Sequence, residues 1–356
     1  MISIDAMHLY GKYKGKLLIA MATDANNEVY PLTFAIVESE SKETRRWFLA
    51  CLARFVMDRT NLCIISDRHS RIKACFDDTS MTWLQPPSAH HRYYLYHVAN
   101  NVNTKWKISE LKNLVWRAAS ANQVKKFEAI LELIHNVKPA AHRYLKNEDK
   151  QKWTLAHDGG RRYRAMTTNL SECFNGVLKG ARSLPIMAMV RFTFFKVKSY
   201  FDARCNLTLD QLEAGQQWCK YARDKFKKNQ EKAKDHMVTQ MCAQAQLYQD
   251  DTPSNPLSNG GGQHTHRVDL WGMTCTCGKW EAYKILCSHV IAICAKYKHN
   301  VQQFINPCYS VTQWYHSYEP IFQPLKDRLA WPNLEETRVV MPNPRLIWNK
   351  GWLVST

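Results

Sequence analysis

The chain has 356 residues, 45% of them hydrophobic, with 49 Lys and Arg against 31 Asp and Glu, a formal net charge of +18. That length allows one large domain with an appendage or two to three smaller ones, and the charge is the footprint of a polyanion partner, nucleic acid first, with a merely basic soluble protein as the alternative. The N-terminus has no basic start followed by a signal-like apolar stretch, and no segment approaches the roughly 18 apolar residues of a membrane span, so secretory and membrane classes are excluded and an intracellular, soluble chain is expected.

The run Ile2-Ser3-Ile4 reads as a strand ending on Asp5. It begins at residue 2, which leaves no room for an N-terminal recognition domain and suggests a truncated form. Residues 17–23 and 29–37 are the next strands, joined by Asp24-Ala25-Asn26-Asn27 as a hairpin, so the first three strands are expected to be antiparallel. Residues 41–56 place Phe48, Leu52, Phe55 and Val56 on one helical stripe. Residues 62–66 form a fourth strand that ends on Asp67, and a fifth is expected at 92–96, after Pro86-Pro87. If strands one and four lie side by side, Asp5 and Asp67 reach the same sheet end, where oxygen ligands can hold Mg²⁺ against a phosphate. The competing reading is a pair of strand-terminal turn aspartates.

From residue 98 to 249 the pattern is almost wholly helical, with Leu111, Leu114 and Val115, then Phe127, Ile130, Leu131 and Ile134, then Phe192, Phe195 and Tyr200 as successive apolar faces. Glu172 is the best third oxygen ligand. Leu170, Phe174, Val177 and Leu178 form a buried stripe there, while Asn169, Glu172 and Asn175 recur on another face. Asn169 followed by Glu172 equally fits a capping box, and spacing leaves the two readings open. Residues 221–234 carry Arg223, Lys225, Lys227, Lys228, Lys232 and Lys234, either a DNA contact or a solvated face. The stretch DDTPSNPLSNGGGQ at 250–263 is the clearest boundary.

Twelve cysteines in a reducing compartment point to buried thiols and metal ligands, and Cys51, Cys75, Cys173 and Cys219 read as packing. Cys275-Thr276-Cys277, nine residues, then Cys287-Ser288-His289 is a four-ligand set suited to structural Zn²⁺. Residues 268–273 and 280–283 would be a hairpin carrying the first pair, and 290–297 a helix beside the second. Cys294 and His299 lie off the pattern. So small a module buries little apolar surface, so the metal should supply much of its folding energy. The module's expected job is binding DNA or protein, and Lys279, Lys284, Lys296 and Lys298 favour DNA. The tail, with Trp314, Tyr315, Tyr318, Trp331 and Trp348 among Pro320, Pro324, Pro332, Pro342 and Pro344, should hold little regular structure and pack back on the first domain.

The stretch from Ile4-Asp5-Ala6-Met7-His8 through Tyr10-Gly11 to Gly15, then residues 31–38 with Trp47-Phe48, then Ile65-Ser66-Asp67-Arg68, resembles the catalytic domain of Mutator-like element transposases. Thr168-Asn169-Leu170-Ser171-Glu172-Cys173-Phe174-Asn175, with Arg182-Ser183-Leu184-Pro185-Ile186, is similar to that family's third motif. The cysteine and histidine set resembles the SWIM zinc finger that commonly follows that domain. The resemblance implies an α/β chain with a ribonuclease H-like catalytic domain, a helical insertion and a small SWIM module. The divisions expected are a core at 1–102, an insertion with the third acid at 103–249, a linker at 250–263, the zinc finger at 264–299 and a tail at 300–356. It implies that Asp5, Asp67 and Glu172 are the acidic triad that binds two Mg²⁺ or Mn²⁺ ions for DNA strand cleavage and transfer, in the nucleus, with DNA as partner and self-association left open. The alternative is a domesticated or truncated, catalytically inactive DNA-binding transcriptional regulator. Many members carry Cys where this chain has Tyr94, three residues before His97, a departure that bears on transposition competence and leaves the carboxylates untouched. His90, His91 and Arg92 read as phosphate contacts or as satisfied structural groups.

Overall fold

Ile2–His8 (β1) pairs antiparallel with Lys16–Thr23 (β2), and β2 pairs antiparallel with Val29–Val37 (β3). The chain returns through the helix Lys42–Phe55 (α1) to Leu62–Ser66 (β4), parallel to β1, and through Ser70–Phe76 (α2) to Ala89–Tyr93 (β5), parallel to β4. The sheet order is β3-β2-β1-β4-β5. The structure, a computed structural model, describes residues 1–11, 14–55, 60–162, 174, 176–253 and 264–325.

Alternation sends the strands' apolar side chains to both faces of this sheet, so neither face is left to water. Ile2, Ile4, Leu18, Ala20 and Ile64 pack under Phe48, Leu49 and Leu52 of α1 and Ile72 of α2. Met7, Leu17, Ile19 and Met21 belong to a second core with Met189, Val197 and Phe201 of the long helix Ile186–Glu213. The expected α1 stripe is shifted: Arg45, Phe48, Leu49 and Leu52 are its buried residues, whereas Phe55 is 73% exposed. Val56 lies outside the described residues.

The fifth strand ends at Tyr93, earlier than expected, because Leu95, Val98, Ala99 and Val102 fall at helical spacing and bury one face of Leu95–Trp106 (α3). With Ser109–Ala119 (α4), Val124–Val137 (α5), Pro139–Lys146 (α6) and Lys150–Trp153 (α7), α3 builds a separate core around Leu111, Val115, Phe127, Ile134 and Trp153. Buried polar groups tie this block to the sheet. Arg92 Nε donates to Asp158 Oδ1 at 2.9 Å, and Arg162 Nη1 donates to the Tyr93 carbonyl at 2.9 Å. Arg92 is therefore a structural ion pair, not a phosphate contact. His91 is structural too: it is buried, 2.9 Å from Ser66 Oγ, with its ring stacked on Phe76 at 3.8 Å.

The helical pattern read through residue 249 stops at Ala233, the end of the helix Lys220–Ala233. Met237–Cys242 (β6) and Leu247–Thr252 (β7) are strands, since Val238, Tyr248 and Asp250 alternate into the interior. With His264–Asp269 (β8) and Thr274–Cys275 (β9) they form an antiparallel sheet of order β6-β7-β8-β9. Residues 280–283, expected as a strand, lie in a helical turn, Lys279–Tyr283. Gly278 (φ 68°) makes the bend that precedes it, and a Cβ there would stand 2.3 Å from the Asn122 carbonyl oxygen. Ser288–Tyr297 is the expected helix. Val238, Tyr248, Val268, Cys287 and Ile291 share the core that includes Ile19 of β2, so the two sheets are joined by one apolar interior. The tail holds more regular structure than expected in its first part, the helix Val311–Tyr318. Among the described residues no helix is long and apolar enough to cross a membrane.

Candidate metal centres

Two side-chain clusters carry metal chemistry. The first stands where Asp5, midway along β1, meets Asp67, the residue after β4; the expected strand end at Asp5 is not found, since β1 stays paired with β2 as far as His8. The parallel register of β1 and β4 matches Ile2 with Ile64 and Ser3 with Ile65, and two further residues set Asp67 beside Asp5. Asp5 Oδ1 accepts from the Ala6 backbone at 2.8 Å, and Asp67 Oδ1 accepts from the His69 backbone at 3.1 Å. Burial pushes the Asp5 carboxyl up from 3.8 to about 6; the Asp67 charge adds to this, while the Ala6 bond, Arg45 and His97 oppose it. A carboxylate pair of this kind repels itself in the absence of a cation and is relieved by one.

The supports of this site are partly ones that sequence reasoning missed. Arg45 sits at a stripe position of α1, only 1% exposed, where its Nε donates to Glu40 Oε1 at 3.1 Å. Tyr94 hydrogen-bonds through its hydroxyl to Ser3 Oγ, two residues before Asp5, and its ring lies 5.6 Å from that of His97. A charged residue inside an apolar helical stripe was the sequence signal for Arg45.

Glu172 lies outside the described residues, as do Asn169, Asn175 and Cys173. The described residues that follow it pack on the sheet face that Met7 and Leu17 present: Phe174 is buried, 5.4 Å from the Phe34 ring, and Leu178 joins the same core. The remainder of the third motif meets the first. The Tyr10 backbone N–H donates to the Arg182 carbonyl at 3.0 Å, and the Arg182 guanidinium lies over the Tyr10 ring at 5.0 Å. Gly11 is required at this contact, since a Cβ would stand 2.8 Å from the Ser183 carbonyl oxygen.

The second cluster is Cys275, Cys277, Cys287 and His289, all buried, with their ligand atoms within 4.8 Å of one another. Zn–S bonds of about 2.3 Å in a tetrahedron put donors roughly 3.8 Å apart, so this set fits Zn²⁺ and leaves no position open for substrate. β9 delivers Cys275, the Gly278 bend delivers Cys277, and the start of the helix Ser288–Tyr297 delivers His289. The Cys275 Sγ stands 3.4 Å from His289 Nδ1. The hydrogen bond between Cys275 and Cys277 raises the Cys275 thiol and lowers that of Cys277, and burial drives the Cys287 thiol up. A metal replaces those protons. Cys294 is buried off this set, and the His299 ring Nε2 is 3.0 Å from the Tyr248 hydroxyl.

Residues 1–101 match the family model of the MULE transposase domain, and residues 266–298 match that of the SWIM zinc finger. The chain carries a MULE transposase domain followed by a SWIM zinc finger. No curated protein matches it. The MULE domain takes in β1 to β5 with Asp5 and Asp67, and the SWIM match takes in all four zinc donors. The SWIM finger is held at both ends of its knuckle. Gln123 Nε2 donates to the Thr276 carbonyl at 2.8 Å, and Asn229 Nδ2 of the basic helix donates to the Leu286 carbonyl at 2.8 Å. On that helix, Lys225 lies over the Tyr283 ring at 4.7 Å, and Lys228 and Lys232 stand exposed near Lys279; burial, then the charges of Lys279 and Lys228, lower the Lys232 ammonium.

Proposed function

We propose that this chain is a Mutator-type DNA transposase whose first domain is ribonuclease H-like and cuts and joins DNA strands in the nucleus at Asp5, Asp67 and Glu172. The observation that carries this reading is the parallel β1–β4 pairing, which brings Asp5 and Asp67 side by side although they are 62 residues apart in sequence. The sheet order β3-β2-β1-β4-β5, three antiparallel strands followed by two parallel ones, supports the fold assignment. We take residues 1–102 as the core and 103–249, with α4 to α7 and the segment holding Glu172, as the insertion before the zinc finger.

Two divalent ions held by the three carboxylates supply nucleophile activation and leaving-group stabilisation. The protein residues supply geometry. Asp5 presents its oxygens from β1 and Asp67 from the position just after β4, the Ser3–Tyr94 bond ties β1 to the residue after β5, the buried Arg45 is paired with Glu40, and the Arg45 and His97 charges favour the ionised Asp5 carboxyl. The net charge of +18 and the lysines shared by the basic helix and the zinc finger offset phosphate repulsion.

One observation favours the second reading, a DNA-binding regulator that no longer cuts: Tyr94 replaces the family cysteine and turns its hydroxyl to Ser3. Strand cleavage of labelled duplex DNA with Mg²⁺ or Mn²⁺ separates the two. Cleavage lost in both Asp67→Asn and Glu172→Gln supports the transposase and gives Glu172 its catalytic role over its capping one. DNA binding without cleavage in the unaltered chain supports the regulator.

A further inference from the structure

The segment matched as the zinc finger begins at residue 266, yet the β6–β7 hairpin before it carries a carboxylate into the zinc donors. Asp250, on β7, is fully buried, and His236, just ahead of β6, has a side chain 6% exposed. His236 Nδ1 lies 3.0 Å from Asp250 Oδ2 in a hydrogen bond and 2.9 Å from Oδ1. Asp250 Oδ1 has no aligned hydrogen-bond donor among the described residues. A ring nitrogen of His289 lies within 4.8 Å of the ligand atoms of both, and the His289 ring is 5.1 Å from that of His236 and 4.1 Å from that of His266.

His289 turns Nδ1 toward Cys275 Sγ, so a zinc-bound imidazole here would carry its proton on Nε2. Metal-bound histidines regularly donate that second N–H to a carboxylate, which fixes the tautomer and the ring plane and strengthens the ligand. A buried carboxylate oxygen without a donor is costly to keep unless such a group reaches it. We propose that Asp250, held by His236, is the positioning residue for His289 in the zinc site. The functional zinc module then starts at the β6–β7 hairpin, some thirty residues before the matched segment. A metal of its own at His236, Asp250 and His289 is the competing use, and it would take His289 from the three cysteines.

Zinc affinity of the full chain, measured by competition with a chromogenic chelator, tests this with Asp250→Asn and His236→Gln. Cys287→Ser is the control that disrupts the primary site. The expected result is one zinc per chain throughout, with affinity about 10- to 100-fold weaker in Asp250→Asn and a smaller loss in the same direction in His236→Gln. Affinity within twofold of the unaltered chain, even if the metal-stripped variants melt lower, would reduce the pair to hairpin packing and overturn the proposal. Two metals per chain falling to one in Asp250→Asn would overturn it in favour of a separate site. If Asp250→Asn does not fold, unchanged affinity in His236→Gln is sufficient to overturn it.

Discussion

Trp314 Nε1 donates to Asp24 Oδ2 at 2.8 Å, and so the helix that follows the zinc finger is hydrogen-bonded to the β2–β3 turn of the first domain. The Tyr318 hydroxyl donates to the same oxygen at 2.9 Å, and Asp24 Oδ1 accepts from the Glu28 backbone at 2.8 Å. Residues 290 apart in sequence thereby close the chain on itself. Asp24→Ala should destabilise the protein by about 2–4 kcal/mol, because it leaves three part-buried donors unpaired as well as removing the bonds. Chemical denaturation followed by tryptophan fluorescence reads this directly; an unchanged midpoint would mean that the helix is not docked.

Asp5 is expected to lower the stability of the metal-free protein. Its folded pKa of about 6 lies above the ordinary 3.8, so between those values the native state binds more protons than the unfolded one. Stability from this group is present at low pH and is lost as pH rises through about 6. Asp5→Asn should therefore stabilise the protein in EDTA at pH 7.5, by on the order of 1–3 kcal/mol, and the gain should shrink toward pH 4. A melting series across that range checks both sign and window.

DNA affinity should depend on Lys228, Lys232 and Lys279 through salt. Each phosphate contact contributes about 0.9 to the slope of log affinity against log salt, so changing all three to Gln should flatten the slope by roughly 2 to 3. Affinity should fall evenly across DNA sequences, as backbone contacts carry no base information. A slope unaltered by the triple change would return these lysines to the role of a solvated face.

Removal of zinc should be felt beyond the finger. Cys287 and Ile291 share a core with Ile19, Tyr248 and Phe174, so a chelator should lower protection of amides in β2 and in the long helix Ile186–Glu213, not only in β8 and β9. Hydrogen exchange with and without chelator measures this. Loss confined to residues 264–299 would mean that the finger folds as a separate unit.

Local chemistry made much of this legible in the sequence. The strands that carry Asp5 and lead into Asp67, the Asp24–Asn27 turn and the spacing of Cys275, Cys277, Cys287 and His289 are all short-range signals, and each falls where the sequence places it, except that β1 stays paired with β2 past Asp5 as far as His8. The parallel β1–β4 pairing was legible too, because a helix between two strands leaves that return as the natural one. What escaped is what depends on distant partners. The β6–β7 hairpin hid in a helical reading because its charges and glutamines blur a two-residue period. Arg92 leaves two readings open, phosphate contact or structural group, until Asp158 is seen beside it, and the partner of Arg45, Glu40, sits off the helix that carries it. Nothing around His236 announces that Asp250 and His289 will meet there, since the three come from separate elements.

The account stands most directly on Asp5 and Asp67 acting as one site. Mn²⁺ binding to the zinc-loaded chain, followed by the loss of free Mn²⁺ signal in electron paramagnetic resonance, can be compared across Asp5→Asn, Asp67→Asn and the double variant. If the two carboxylates share ions, each single change removes most of the binding and the double change removes little more. Independent losses that simply add, or full binding in either single variant, would contradict the account.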